Sequence, residues 1–176
     1  MNKRNLMIKR ILGGVGLFML VLVLTSCEDF TGGGWIVSAS DPNRKAHFGF
    51  IFHCENLGDG VVGIRGSLQY NDTVTDQNGK PQKISFHGVP NALVIGPPFV
   101  SCEFFDAIFG DGRYTGDYTP QPQNLGPGGT FDIQIQDLGQ KGPSKEDIFT
   151  ISLSGGVFDG YHNSGTLGGG QITLHQ

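Results

Sequence analysis

Between positions 45 and 54 the chain reads KAHFGFIFHC, and every second residue belongs to one apolar set: Ala46, Phe48, Phe50, Phe52 and Cys54. Alternation with a period of two is the pattern of a half-buried β-strand. It recurs through most of the chain, predicting strands at 35–38, 45–54, 61–71, 83–87, 92–95, 99–105, 130–137, 147–153 and 170–175. Turn chemistry separates them: Asp41-Pro42-Asn43, Gly58-Asp59-Gly60, Asn78-Gly79, Gly96-Pro97-Pro98 and Gly126-Pro127-Gly128-Gly129. No segment keeps apolar residues at helical spacing for long enough to form a helix; one turn around Phe105–Phe109 is the sole candidate. About nine short strands without helical crossovers predict an all-β fold, a single antiparallel β-sandwich with jelly-roll or Greek-key connections.

Composition agrees with that class. After position 26 the chain holds 26 of its 29 glycines in 150 residues, against a typical share of about 7%. They are scattered between alternating stretches with no fixed period, which excludes collagen and fits short strands joined by tight turns. A stretch of this length is the usual size of one domain.

The N-terminus is of a different kind. Lys3, Arg4, Lys9 and Arg10 come without an acid, and residues 11–24 form an apolar and glycine run of 14. Thr25-Ser26-Cys27 follows. A basic start, a short apolar run and small residues are the signature of a secretory signal peptide. Fourteen residues fall short of the roughly 20 that span a bilayer. Leu24-Thr25-Ser26-Cys27 resembles the bacterial lipobox, which implies a diacylglycerol on the Cys27 sulfur and cleavage before Cys27. Two or more acyl chains anchor firmly where one holds marginally. Glu28 stands where Asp is the usual inner-membrane retention signal, so the expectation leans to the outer membrane. The organisation read from the sequence is thus a signal peptide at 1–26, a polar, Gly-rich tether at 27–34 and a β-sandwich domain at 35–176.

All sixteen acids but only eight of twelve basic residues lie after the signal, a net charge of −8 for the mature chain. Phosphate binding needs clustered Lys and Arg, so nucleic acid and anionic headgroups are poor partners. Export places the other two cysteines in an oxidising compartment. Cys54 shares the face of the phenylalanines, and Cys102 alternates with Val100 and Phe104, so both point toward a core. That phase predicts a Cys54–Cys102 disulfide, with two unpaired buried thiols as the alternative.

Pieces of the mature sequence resemble a family of exported bacterial β domains, the post-choice-of-anchor type. They are GGGWI at 32–36, FGF at 48–50, GSLQY at 66–70, FHG at 86–88 and GTFDIQIQDLGQKG at 129–142. DIFTISL at 147–153 and YHNSGTLGGGQITLH at 161–175 complete the set, with Gln171 where the family often has Asn. The resemblance covers nearly all of 32–176 and implies a β fold and an envelope location, with no reaction attached.

Several residues are candidates for chemistry. His47 and His53 share a strand face six positions apart, roughly 20 Å at strand rise, too far to hold one ion. His87, His162 and His175 show no metal-binding spacing. Asp137 and Asp147 flank a Gly-rich segment that could fold around a structural calcium, and Asp111-Gly112 with Asp117 forms a second acidic group. Against calcium, Asp in such places commonly accepts backbone N–H bonds of its own turn. No GxSxG or papain-type cysteine motif is present. Glu103 with Glu146 or Asp106 is the conceivable carboxylate pair of a glycan hydrolase, the competing reading. Trp35, Tyr70, Tyr114, Tyr118 and Tyr161 are the candidate ligand-binding aromatics, with Tyr114 and Tyr118 in GDGRYTGDYTPQPQ, expected as an exposed loop. The alternative is that Trp35 plugs one end of the core and the tyrosines are rim residues. Together these features predict a non-enzymatic envelope module without a cofactor. Its expected partners are the membrane, through a lipid on Cys27, and a glycan or another envelope protein.

Overall fold

The computed structural model describes residues 29–58, 61–76, 78–91, 111–138 and 147–175. Within them lie nine strands: β1 (Asp29–Val37), β2 (Lys45–Gly58), β3 (Val61–Thr75), β4 (Pro81–Pro90), β5 (Asp111–Pro120), β6 (Gly129–Gln136), β7 (Ile148–Ser154), β8 (His162–Thr166) and β9 (Gly169–His175). Two short 3₁₀ turns, Gln123–Leu125 and Gly156–Phe158, sit in connections. Every ladder is antiparallel. The antiparallel all-β class expected from the alternation is the one that forms.

Its layout is one continuous sheet in the order β8-β7-β6-β5-β4-β3-β2-β1-β9, curled into a half-barrel. From β1 to β8 each strand pairs with the next, so the connections are a meander and not the Greek-key or jelly-roll type expected. The curl brings opposite stretches of the one sheet face to face, as the two layers of a sandwich would be. Phe48 on β2 stacks on Phe149 on β7 at 3.9 Å between centroids, and Phe52 on Tyr114 of β5 at 4.6 Å.

The two ends of the sheet meet through the last strand pair. β8 and β9 run in the same direction, joined by Leu167 and Gly168, so together they act as one long bent strand. Its first half pairs with β7 and its second half with β1. Side chains and single backbone bonds close the seam. The Asp147 carboxylate accepts N–H bonds from Leu138 and Ile172, each at 3.2 Å, and the Asp147 carbonyl accepts from Leu167 at 2.9 Å. Asn163 Nδ2 donates to the Val37 carbonyl at 3.1 Å, and Gly168 N–H to that of Trp35 at 2.9 Å.

Inward positions carry the core: Phe30 and Ile36 on β1, the Phe48, Phe50, Phe52 series on β2, Leu68 and Tyr70 on β3, and matching residues on each later strand. Glycine is as much a core residue as a turn residue. A Cβ on Gly32 would lie 2.5 Å from the Phe50 ring, and one on Gly88 would lie 2.7 Å from that of Phe131. Bulky rings fill the interior because bare backbone beside them leaves the space, which accounts for much of the glycine content.

Two boundaries differ from expectation. The tether expected at 27–34 is strand from Asp29 onward, because residues 29–37 pair along their length with β2 and residues 29–35 with β9. The segment expected as an exposed loop is β5, paired with β4 and β6. The expected strands at 92–95 and 99–105, the turn around Phe105–Phe109, and the signal segment lie outside the described residues.

Candidate functional site

The candidates named from sequence fall in three environments. Tyr114 and Tyr118 lie inside the curl, 6% and 2% exposed. In β5 they alternate with Thr115 and Asp117, which point out. They therefore form no surface platform, correcting the expected ligand-binding role. The Tyr118 hydroxyl donates to the Gly155 carbonyl at 2.6 Å and accepts the Phe158 N–H at 3.1 Å, tying β5 to the β7–β8 connection. Trp35 does face outward, half-buried, with the Lys45 ammonium 4.0 Å from its ring centroid. Its ring rests on Gly168 and Gly169, where any Cβ would run into it. It lies on the wall, not in the core end.

Asp147 is 1% exposed, and its oxygens are engaged by the backbone N–H groups of Leu138, just past the end of β6, and of Ile172 across the seam. That is the structural role Asp commonly takes in such places; residues 139–146, which would complete a calcium loop with Asp137 and Asp147, lie outside the described residues. Asp137 lies at the end of β6, engaged in contacts of its own. Asp111 and Asp117 stand at opposite ends of β5's pairing with β6 and form no cluster. Among the described residues no group of three His, Cys, Asp or Glu is placed to hold a metal ion. His47 and His53 face outward on β2, as expected. Cys54 is half-buried in the phase of the phenylalanines. Cys27, Cys102, Glu103, Asp106 and Glu146 lie outside the described residues.

Two arrangements emerge that the sequence did not single out. The first is a buried polar chain where β1, β3 and β8 converge; it takes up Tyr70, which is buried and so forms no surface platform, and the partly buried Tyr161. Asn163 Nδ2 donates to the Tyr70 hydroxyl at 3.1 Å, and the Tyr70 and Tyr161 hydroxyls are 2.6 Å apart. Tyr161 donates to Asp72 Oδ2 at 2.6 Å. A carboxylate only accepts, so the protons run one way, from Asn163 through Tyr70 and Tyr161 to Asp72. Asp72 also accepts backbone N–H bonds from Thr73 and Ala39. Burial pushes both phenols well above the ordinary tyrosine range, and Tyr118 is raised for the same first cause. Held neutral, these groups act as hydrogen-bonded struts.

The second is a shallow depression of about 530 Å³ on the outer wall across β9, β1 and β2. Gly33 forms its floor with the backbone around it, and Thr31, Ile51, Gln171 and Thr173 form its sides. Gln171 Nε2 donates to Thr173 Oγ1 at 2.8 Å, which holds one side in place. A sequence signal for it existed. Gly33 and Gly49 stand in the outward phase of strongly alternating strands, where a turn does not explain them.

Comparisons with known proteins return no match: no family model, no curated protein and no solved structure matches this chain.

Proposed function

We propose that this chain is a cell-envelope lipoprotein, held to the membrane by lipid on Cys27, whose β domain is a non-enzymatic structural or binding module. The observation that carries the reading is the order of features at the N-terminus. A basic start, a 14-residue apolar run and Leu24-Thr25-Ser26-Cys27 end two residues before the first strand. An acylated Cys27 would then act on the fold through almost no slack. The likeness to exported domains of the post-choice-of-anchor type supports the same location, and Glu28 supports the outer membrane.

The test is fractionation with metabolic labelling by an alkyne fatty acid. The wild-type protein is expected in the membrane fraction and labelled; Cys27→Ser is expected unlabelled and released. A Cys27→Ser protein that stays with the membrane refutes the anchor.

The reading includes a Cys54–Cys102 disulfide. It is supported by the inward phase of Cys54 and by Cys54 not being a free thiol. A bridge closing such a loop contributes on the order of 4 kcal/mol in the chain-entropy account. Two titratable thiols after denaturation without reductant would argue against it.

A further inference from the structure

Gly33 on β1 and Gly49 on β2 are direct cross-strand partners on the outer wall. Their neighbours in sequence have packing reasons to be glycine. A Cβ on Gly32 would enter the Phe50 ring, and one on Gly34 would run into the backbone of Gly169. Gly33 and Gly49 have none. A Cβ on Gly33 would find its nearest atom, the Phe48 carbonyl oxygen, at 3.5 Å, and one on Gly49 would find the Gly32 oxygen at 3.9 Å. Both are ordinary contacts, and neither residue has a positive φ that disfavours side chains. Interior strand positions favour β-branched and aromatic residues. Bare strand positions commonly mark close approach of a ligand or another backbone. Here two of them face each other, and Gly33 floors the depression on this wall.

The sides of the depression fix the chemistry of what fits. Thr31 and Thr173 bring hydroxyls and Gln171 an amide, groups that both donate and accept. Ile51, 39% exposed, brings an apolar edge. Among the described residues, no charged one lines it. Such a surface, flat and C–H-rich at the floor with neutral hydrogen-bonding groups at the sides, complements a sugar ring, which shows apolar C–H faces and a hydroxyl rim. A charged polymer would find no counter-ion there, and the net charge of −8 on residues 27–176 disfavours an acidic one. An extended peptide would need a free backbone edge for strand addition. β1, beneath the depression, offers none, being paired on both sides with β2 and β9, and the free edge of β9 is the one turned away from β1.

We infer that the depression over Gly33 is a binding site for a neutral saccharide, one or two rings of which lie on the backbone there and extend toward Gly49, the cross-strand partner of Gly33. The inference rests on the reading of the domain as a binding module and assigns that module its face and its ligand class. The two glycines are then kept bare so that the sugar can approach the backbone.

The test uses the full chain in detergent, titrated calorimetrically with cello-, malto- and chito-oligosaccharides, and with polygalacturonate as the anionic comparator. At least one neutral series is expected to bind wild type. Affinity is expected to fall tenfold or more in Gly33→Val, in Gly49→Thr and in Gln171→Ala. The first fills the floor, the second adds a side chain beside it at the cross-strand position, and the third strips one side. Thermal midpoints of the filled variants are expected to equal or exceed wild type, so that loss of binding is not loss of fold. Absence of binding by every neutral series, preference for polygalacturonate, or unchanged affinity in folded variants overturns the assignment. Membrane attachment is read separately from the Cys27→Ser fractionation, so failure here leaves that reading standing, and the reverse holds.

Discussion

The Tyr161 hydroxyl stands between two groups that both need it. It donates to Asp72, 3% exposed, and receives the proton of Tyr70, which is fully buried. Tyr161→Phe removes one oxygen and leaves a carboxylate and a phenol short of a partner. A buried polar group left unsatisfied costs about 1–3 kcal/mol, and a loss of that size is expected in urea unfolding. An unchanged midpoint would show that water replaces the hydroxyl at no cost. The same phenols set an alkaline limit. Burial raises Tyr70, Tyr118 and Tyr161 above their unfolded value of about 10. Such groups contribute stability in full below that pH, and the contribution is lost as pH rises through the raised folded values. Stability is therefore expected to be insensitive to these phenols up to about pH 10 and to fall above it. Their phenolate absorbance should rise together with loss of the native circular dichroism. Phenolate signal from all three at ordinary tyrosine pH, with native dichroism intact, would contradict the burial of their hydroxyls.

Adjacent glycines of one strand make the sharpest contrast among elements. In β1, Gly34 faces in against the backbone of Gly169, and Gly33 faces out over open space. Gly34→Ala is expected to cost about 1–3 kcal/mol through overpacking. Gly33→Ala is expected to be neutral or stabilising by up to about 1 kcal/mol, since it restricts the unfolded chain at a compatible site. Parallel thermal melts of the two variants check this, and equal losses would refute the assignment of faces. Strands with large inward residues, such as β2 and β6, were legible in the sequence because their alternation is unbroken. β5 was not: its inward set is Gly112, Tyr114, Gly116, Tyr118 and Pro120, in which small residues mask the period. β8, His-Asn-Ser-Gly-Thr, carries a single buried side chain, Asn163, whose partners lie on β1 and β3. Only tertiary contacts make it a strand. The candidate site was hidden for a related reason. Its floor is defined by absent side chains, and which glycines are spared by packing is known only once the neighbours are placed.

At the scale of the whole molecule, the alternation defined strands and their faces but not the route between them. A meander and a Greek key impose the same period on each strand, and the choice rests on which edges meet. Here the deciding device is the bend at Leu167-Gly168, which transfers one long strand from β7 to β1. That device also sets Asp29 opposite His175 in the register of β1 and β9, and paired residues of antiparallel strands lie about 5 Å apart. The first and last strands thus end side by side, and the described strands run almost as a loop cut at one point. Where the cut falls should then matter little. A circular permutant that joins 175 to 29 through a few glycines and opens at the exposed turn between β3 and β4 is expected to fold with the native near-ultraviolet dichroism. Its failure to fold would mean that the order in which the hairpins are made, and not only their final contacts, is written into this chain.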